Sequence, residues 1–228
     1  KGAERIGISG HVRPDGDCVG ACLGLGRYLG KCLPEAKVRV FLEKPADIFR
    51  DLAGFGEIVS DFPQEEPFDV FFILDTTADR IGDADKYFRA AGKTVNIDHH
   101  ISNSGSGHIN YIQPDVGSTC ELVYDLLEPG RLDREIAMAL YTGIIHDTGV
   151  FQYSNTTPAT LEKGARLIGY GFDFPKLIRE TFYQKSYVQA QILGRALMES
   201  IRFMDGKCIV SAIERRTMEF YDVEPKDL

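Results

Sequence analysis

Basic residues are in the minority in this chain: 26 Lys and Arg stand against 34 Asp and Glu, a net charge of −8 over 228 residues. Affinity for duplex nucleic acid comes mostly from Lys and Arg on phosphates, so a broad duplex-binding surface is not expected. A small phosphorylated substrate stays open, because bound divalent cations would cancel several carboxylates and themselves attract phosphate. Long apolar runs are missing as well. None approaches the roughly 18–20 residues that span a bilayer, and a membrane is not an expected partner. No signal peptide precedes the first strand-like segment, so the expected location is cytoplasmic. The chain opens on Lys1 rather than Met, with a strand already beginning at Arg5, and reads as trimmed at its natural start. Signals for cysteine pairing are lacking too: the five cysteines are odd in number and form no CxxC. Reduced thiols fit this better than a disulfide framework. Cys18 and Cys22, four apart on an expected helix, read as small core residues, since a soft-metal site would want more sulfur nearby.

What is present is the balance of an ordinary globular protein, 43% hydrophobic and 26% charged. Arg5-Ile-Gly-Ile-Ser-Gly10 reads as a short buried strand, followed by the loop His11-Val-Arg-Pro-Asp-Gly-Asp17 and a helix to about Lys31. Lys37–Glu43 alternates as a second strand, and Ala46–Leu52 reads as a short helix. Phe68–Asp75 is a near-continuous apolar run, the mark of a strand covered on both faces. A short helix over Asp83–Ala91 and a strand over Thr94–Asp98 follow. Alternating strands and helices argue for a parallel α/β sheet flanked by helices. Beyond it the pattern turns helical over 117–128, 133–147, 158–169, 173–182 and 186–200, with Ser118 and Glu121 spaced as a capping box. Ile201–Met204 and Lys207–Ala212 flank Asp205-Gly206, a strong hairpin signal. Gly20, Gly24, Gly26 and Gly30 miss the G-x-G-x-x-G spacing and follow the loop rather than lying in it, so close helix–sheet packing explains them better than a dinucleotide site.

Ligands of open α/β sheets bind at the carboxyl ends of the strands. The polar residues collect there. The first strand runs into His11, Asp15 and Asp17, the third stops at Asp75, and the fourth at Asp98-His99-His100. A further group, Gly143-Ile-Ile-His-Asp147-Thr-Gly149, sits in an otherwise apolar helical stretch. The acids of Arg13-Pro-Asp-Gly-Asp17 also suit a plain turn, and Asp75 a cap. Asp98-His99-His100 is harder to read as structural, because uncompensated polar groups at a buried strand end are costly. Asp147 is an acid where a core helix wants an apolar residue, and such acids have a partner or a metal. His146 and His108 read as structural. A set of carboxylates and imidazoles without thiolate favours manganese, magnesium or iron over structural zinc. The number of carboxylates suits two ions about 3.5–4 Å apart sharing a bridging ligand.

His11-Val-Arg-Pro-Asp-Gly-Asp17, Asp75, Asp98-His99-His100 and Gly143-Ile-Ile-His-Asp-Thr-Gly149 resemble, in order and separation, the four motifs of the DHH phosphoesterase superfamily. Gly117-Ser-Thr119 and Phe151-Gln-Tyr-Ser-Asn-Thr156 add a likeness to its branch of oligoribonucleases, phosphatases of 3′-phosphoadenosine 5′-phosphate (pAp) and cyclic-dinucleotide phosphodiesterases. The resemblance implies hydrolysis of short oligoribonucleotides or small nucleotide phosphates of the pAp or pApA type by water activated between two Mn²⁺ ions, with Mg²⁺ or Fe²⁺ as alternatives. His11 and Asp15 would hold one ion and Asp17, His99 and Asp147 the other, with Asp75 bridging. Asp98 would orient the ligating His99, and His100 would touch the scissile phosphate. Arg80 and Asn155, in the Ser154–Thr156 loop, would contact substrate. Pyrophosphatase or exopolyphosphatase activity of the same superfamily is the alternative, as is a nucleotide-binding module without turnover. Short single-stranded RNA or a small nucleotide is the expected partner, and a homodimer stays open. One departure stands out: the branch has a second, substrate-binding domain ending in Gly-Gly-Gly-His, which is not found here. The expected organisation is therefore a catalytic domain over 1–185, a linker helix over 186–200, and the first part of the substrate-binding DHHA1 domain, a truncated second α/β domain, over 201–228.

Overall fold

The computed structural model describes residues 2–223. They fall into two compact units, the first ending at Phe182 and the second beginning at Tyr183.

The first unit is built on five strands: β1 (Arg5–Ser9), β2 (Lys37–Phe41), β3 (Val70–Leu74), β4 (Lys93–Asp98) and β5 (Ile109–Ile112). They lie in the order β2-β1-β3-β4-β5 and every pairing is parallel, so all five carboxyl ends fall on one edge. The expected α/β class is the observed one. In β3 the two-residue period of a strand sends alternate side chains to opposite faces. Phe71 and Ile73 join one apolar cluster with Phe41, Phe68, Tyr87 and Phe88, while Leu74 joins the other with Ile8, Leu140 and Ile144. In the first cluster Phe68 meets Phe71 and Tyr87 edge-on, at centroid distances of 5.5 and 5.8 Å. Such pairs add about 0.5–1.5 kcal/mol each beyond the area they bury.

The helices are α1 (Gly16–Cys32), α2 (Asp85–Ala90), α3 (Thr119–Leu126), α4 (Arg134–Asp147), α5 (Pro158–Ile168) and α6 (Phe174–Ile178), the last continuing as a π-turn over Arg179–Tyr183. The glycines of α1 correct the sequence reading. Only Gly26 faces the sheet, with Val40 and Ile8 nearest; Gly20 and Gly24 face α4. A Cβ on Gly20 would lie 2.4 Å from the Ala139 carbonyl oxygen. The small residues thus draw two helices together rather than a helix and a sheet. Ala46–Leu52 is not an α-helix but a single 3₁₀ turn at Asp47–Phe49, with Phe49 N donating to the Ala46 carbonyl and Arg50 N to the Asp47 carbonyl. Only half of the capping box forms: Ser118 Oγ accepts from Glu121 N, whereas the Glu121 carboxylate accepts from Thr160 Oγ1 and faces Lys163. That tertiary contact ties α3 to α5.

The second unit contains α7 (Tyr187–Met198), the antiparallel pair β6 (Ile201–Phe203) and β7 (Cys208–Val210), and α8 (Arg215–Tyr221), which the sequence pattern does not suggest. Met204, Asp205 and Gly206 take positive φ at the turn between the strands.

Candidate metal centre

At the carboxyl edge of the sheet, strand ends and helix ends converge. β1 delivers His11, β3 delivers Asp75, and β4 delivers Asp98, His99 and His100. Asp15 is the N-cap of α1, its Oδ1 accepting from the amides of Asp17 and Cys18, each at 3.1 Å. Asp147 is the last residue of α4. The N-terminus of α3 points its amides at Asp17: Thr119 N donates to Oδ2 at 2.6 Å and Cys120 N to Oδ1 at 2.9 Å. Gly143 makes room for this arrangement, since a Cβ there would lie 2.6 Å from Asp17 Oδ1 and 2.2 Å from Cys120 Sγ.

Asp75 sits in the middle with φ +61°, the left-handed region that Asp and Asn tolerate best after glycine. Its carboxylate is buried and two-faced. Oδ2 is 3.5 Å from His11 Nε2, while Oδ1 is 3.5 Å from His99 Nε2 and accepts from Thr119 Oγ1 at 3.0 Å. His11 Nε2 is also 3.6 Å from Asp15 Oδ1. His99 Nε2 is 3.0 Å from Asp147 Oδ2 and 3.9 Å from Asp17 Oδ2. All six residues singled out as ligand candidates therefore come together.

The imidazoles are set for metal binding by what their other nitrogens do. His11 Nδ1 bonds to the Val12 carbonyl at 2.9 Å, and His99 Nδ1 to the Val116 carbonyl at 3.1 Å. A carbonyl oxygen only accepts, so each Nδ1 carries a hydrogen and each Nε2 is left for the carboxylates or an ion. His99 Nε2 is buried, and in the neutral ring with its hydrogen on Nδ1 it faces Asp147 Oδ2 at 3.0 Å with no hydrogen to donate. The electrostatics ask for a cation. Burial raises the Asp17 carboxyl far above its usual range, and repulsion from Asp75 and Asp147 adds to it. Burial also raises Asp147, against the relief that His99 gives. Burial disfavours the charged form of His11, yet Asp15 and Asp75 outweigh it and push the ring up to about 11. His99 is likewise pushed up to about 11, as Asp147 and Asp75 overcome burial. Without an ion, the surrounding carboxylates favour the protonated form of both rings. The donor set, its spacing and the orphaned nitrogen all fit divalent cations. The ligand atoms of Asp17, His99 and Asp147 lie within 4.8 Å of one another, as do those of Asp75, His99 and His100.

Two expectations need correction. Asp98 does not orient His99. Its Oδ1 accepts from His100 N at 3.1 Å and His100 Nδ1 at 2.7 Å, while Asn103 Nδ2 donates to Oδ2. His99 and His100 lie past the end of β4, where the turn brings the acid at 98 to the ring two positions on, and His99 finds a main-chain partner instead. Nor is the centre free of sulfur: Cys18 Sγ lies within 4.8 Å of ligand atoms of both His11 and Asp75. Asn155 Nδ2 is committed to the protein, donating to the carbonyls of Gly117 at 3.0 Å and Asp147 at 3.1 Å, which leaves substrate no free donor on that amide. Arg80 is exposed on the turn after Asp75, its carbonyl accepting from Val12 N at 2.8 Å. His146 packs against the rings of Phe49 and Phe182, with Nε2 3.2 Å from Thr181 Oγ1, and burial holds it down to about 4. His108 Nδ1 joins β5 to β4 through Thr94. Thr119, Asn103 and the Val116 carbonyl are not singled out by the sequence; Gly117-Ser-Thr119 is the nearest signal.

The chain resembles known proteins along most of its length. It is 33% identical over 212 residues to the "Bifunctional oligoribonuclease and PAP phosphatase NrnA" of Thermus thermophilus, covering 91% of this chain and 62% of that protein. It is 28% identical to the protein of the same name from Bacillus subtilis, covering 95% of this chain and 68% of that one. The chain thus spans about two thirds or less of the length of these relatives. A crystal structure of an exopolyphosphatase-related protein from Bacteroides fragilis superposes with a TM-score of 0.90 at 26% identity, covering 99% of this chain and 70% of that one. Residues 5–144 match the model of the DHH family, N-terminal domain, and the chain belongs to that family.

Proposed function

We propose that this chain carries the catalytic centre of a phosphoesterase that hydrolyses short oligoribonucleotides or small nucleotide phosphates such as pAp, using two divalent cations, manganese foremost. The observation that carries this reading is the two-faced Asp75, whose oxygens each lie 3.5 Å from a different histidine. A carboxylate placed so is suited to join His11 and Asp15 on one side to Asp17, His99 and Asp147 on the other. When bound, the ions supply positive charge for the phosphate oxygens and lower the pKa of a water nucleophile. The protein's own part is positioning. The α3 amides and Thr119 fix Asp17 and Asp75, and the main-chain carbonyls fix the ring nitrogens. Asp98 holds His100 through Nδ1, leaving Nε2 as the nitrogen for a substrate phosphate. The names of the relatives support an oligoribonuclease and pAp phosphatase activity, and the reading extends to a cytoplasmic enzyme whose residues 201–228 begin a substrate-binding domain.

The test is a manganese-supplemented assay of the full-length protein on a di-ribonucleotide, pAp and pyrophosphate. Turnover of either nucleotide above pyrophosphate is the expected result. Preference for pyrophosphate would move the protein to the pyrophosphatase alternative, and tight nucleotide binding without turnover would leave a binding module.

A further inference from the structure

We propose that Cys18 is a sulfur ligand at the His11–Asp75 side of the centre, making that half a mixed nitrogen, oxygen and sulfur site for a borderline cation such as Zn²⁺, Co²⁺ or Fe²⁺. The inference rests on the metal centre of the proposed function and goes beyond it. Cys18 is fully buried in the first turn of α1, where the bond from its amide to the Asp15 cap pins that turn beside His11. Its sulfur and the ligand atoms of His11 and Asp75 lie within 4.8 Å of one another. Atoms bound to one ion at about 2.0–2.3 Å are separated by at most about 4.6 Å, so the group stands at, or within a few tenths of an ångström of, a ligating arrangement. Space for the sulfur at the strand end depends on Gly10, since a Cβ there would lie 2.2 Å from Cys18 Sγ. His11 Nδ1 is spent on Val12, so its Nε2 faces the same group of atoms. A coordinating thiol loses its proton to solvent outright, and thiolate shifts preference from manganese toward softer ions. The other half, with Asp17, His99 and Asp147, has only nitrogen and oxygen donors in its group. The two sites would then differ in metal preference.

The competing view is that Cys18 only fills the core beside Cys22. Cobalt absorption separates the two, because thiolate bound to Co²⁺ gives an intense near-ultraviolet charge-transfer band that nitrogen and oxygen ligands do not. The full chain, stripped of metal and kept reduced, is titrated with Co²⁺. A charge-transfer band that saturates with part of the bound cobalt is the expected result, lost in Cys18→Ala and Cys18→Ser but kept in Cys22→Ala and Cys120→Ala. Cys120 is the needed control because its Sγ donates to the Asp17 carbonyl at 3.5 Å. If the Cys18 variants do not fold, a band that persists in Cys22→Ala, Cys32→Ala, Cys120→Ala and Cys208→Ala still assigns the sulfur, since these are the other four cysteines. Bound cobalt with ligand-field bands alone overturns the inference and leaves the phosphoesterase reading standing, as does a band that survives Cys18→Ala. A Cys18-dependent band, with the full-length protein turning over no phosphate ester, supports the sulfur ligand while the functional reading fails. No cobalt bound at all overturns both.

Discussion

A single torsion makes Asp75→Asn a clean test. The residue has φ +61°, and Asn accepts that region as readily as Asp. The variant should therefore fold while losing the charge that two cations would share. Turnover should fall by more than the about 10–100-fold typical of losing an outer hydrogen-bond partner of a ligand. More than half of wild-type activity in the full-length enzyme would show that Asp75 is only a turn residue. The two histidines should part company. His99→Ala should lower manganese content on metal analysis, whereas His100→Ala, whose ring is held by Asp98 at 2.7 Å, should keep the metal and lose turnover. Equal metal loss in both would mean their roles are misassigned. Residues that announce themselves by type and place, such as an acid ending an apolar strand, are legible in the sequence. Asp98 is visible there too, but its neighbour is not, because the pairing of side chains past a strand end depends on how the following turn folds. Cys18 reads as core filler, and only the fold reveals that its core neighbours include His11 and Asp75.

Helices and strands are easier to read than the reasons for their packing. Periodicity marks α1 and α4, but nothing in the sequence says that Gly20 faces α4 while Gly26 faces the sheet. The structure makes the distinction measurable. Gly20→Ala would force a Cβ to 2.4 Å from the Ala139 oxygen, and overpacking of this kind costs about 1–3 kcal/mol. Gly30 on the same helix has nothing within 4 Å of its Cβ position, so Gly30→Ala should be neutral or stabilise by up to about 1 kcal/mol through helix propensity. Chemical denaturation of the two variants should give shifts of opposite sign, or a loss in the first against no change in the second. Equal losses would mean that helix–helix approach is not what Gly20 serves. The boundaries of α6 are blurred for a related reason: its last turn widens into a π-turn where Thr181 reaches back to the Leu177 carbonyl at 2.9 Å.

For the molecule as a whole, the centre concentrates like charges within a chain already carrying net charge −8. Asp17, Asp75 and Asp147 converge from α1, β3 and α4, so whatever neutralises them also holds those elements together. Ligand binding to the native state alone contributes about 2.7 kcal/mol at a hundredfold excess over Kd, which for a unit of this size is about 5–11 °C in Tm. Chelation should lower the midpoint by an amount of that order, and added Mn²⁺ should restore it. An unchanged midpoint, with metal shown to be bound, would mean that ion binding and folding are not coupled. The preference of the His11 and His99 rings for a proton, which their carboxylate neighbours impose, carries this further. A cation bound there would displace those hydrogen ions, so the site would behave as a small ion-exchange resin. Loading in an unbuffered solution should acidify it, and retention of the metal should strengthen as the pH rises toward about 11, where the rings give up their protons unaided.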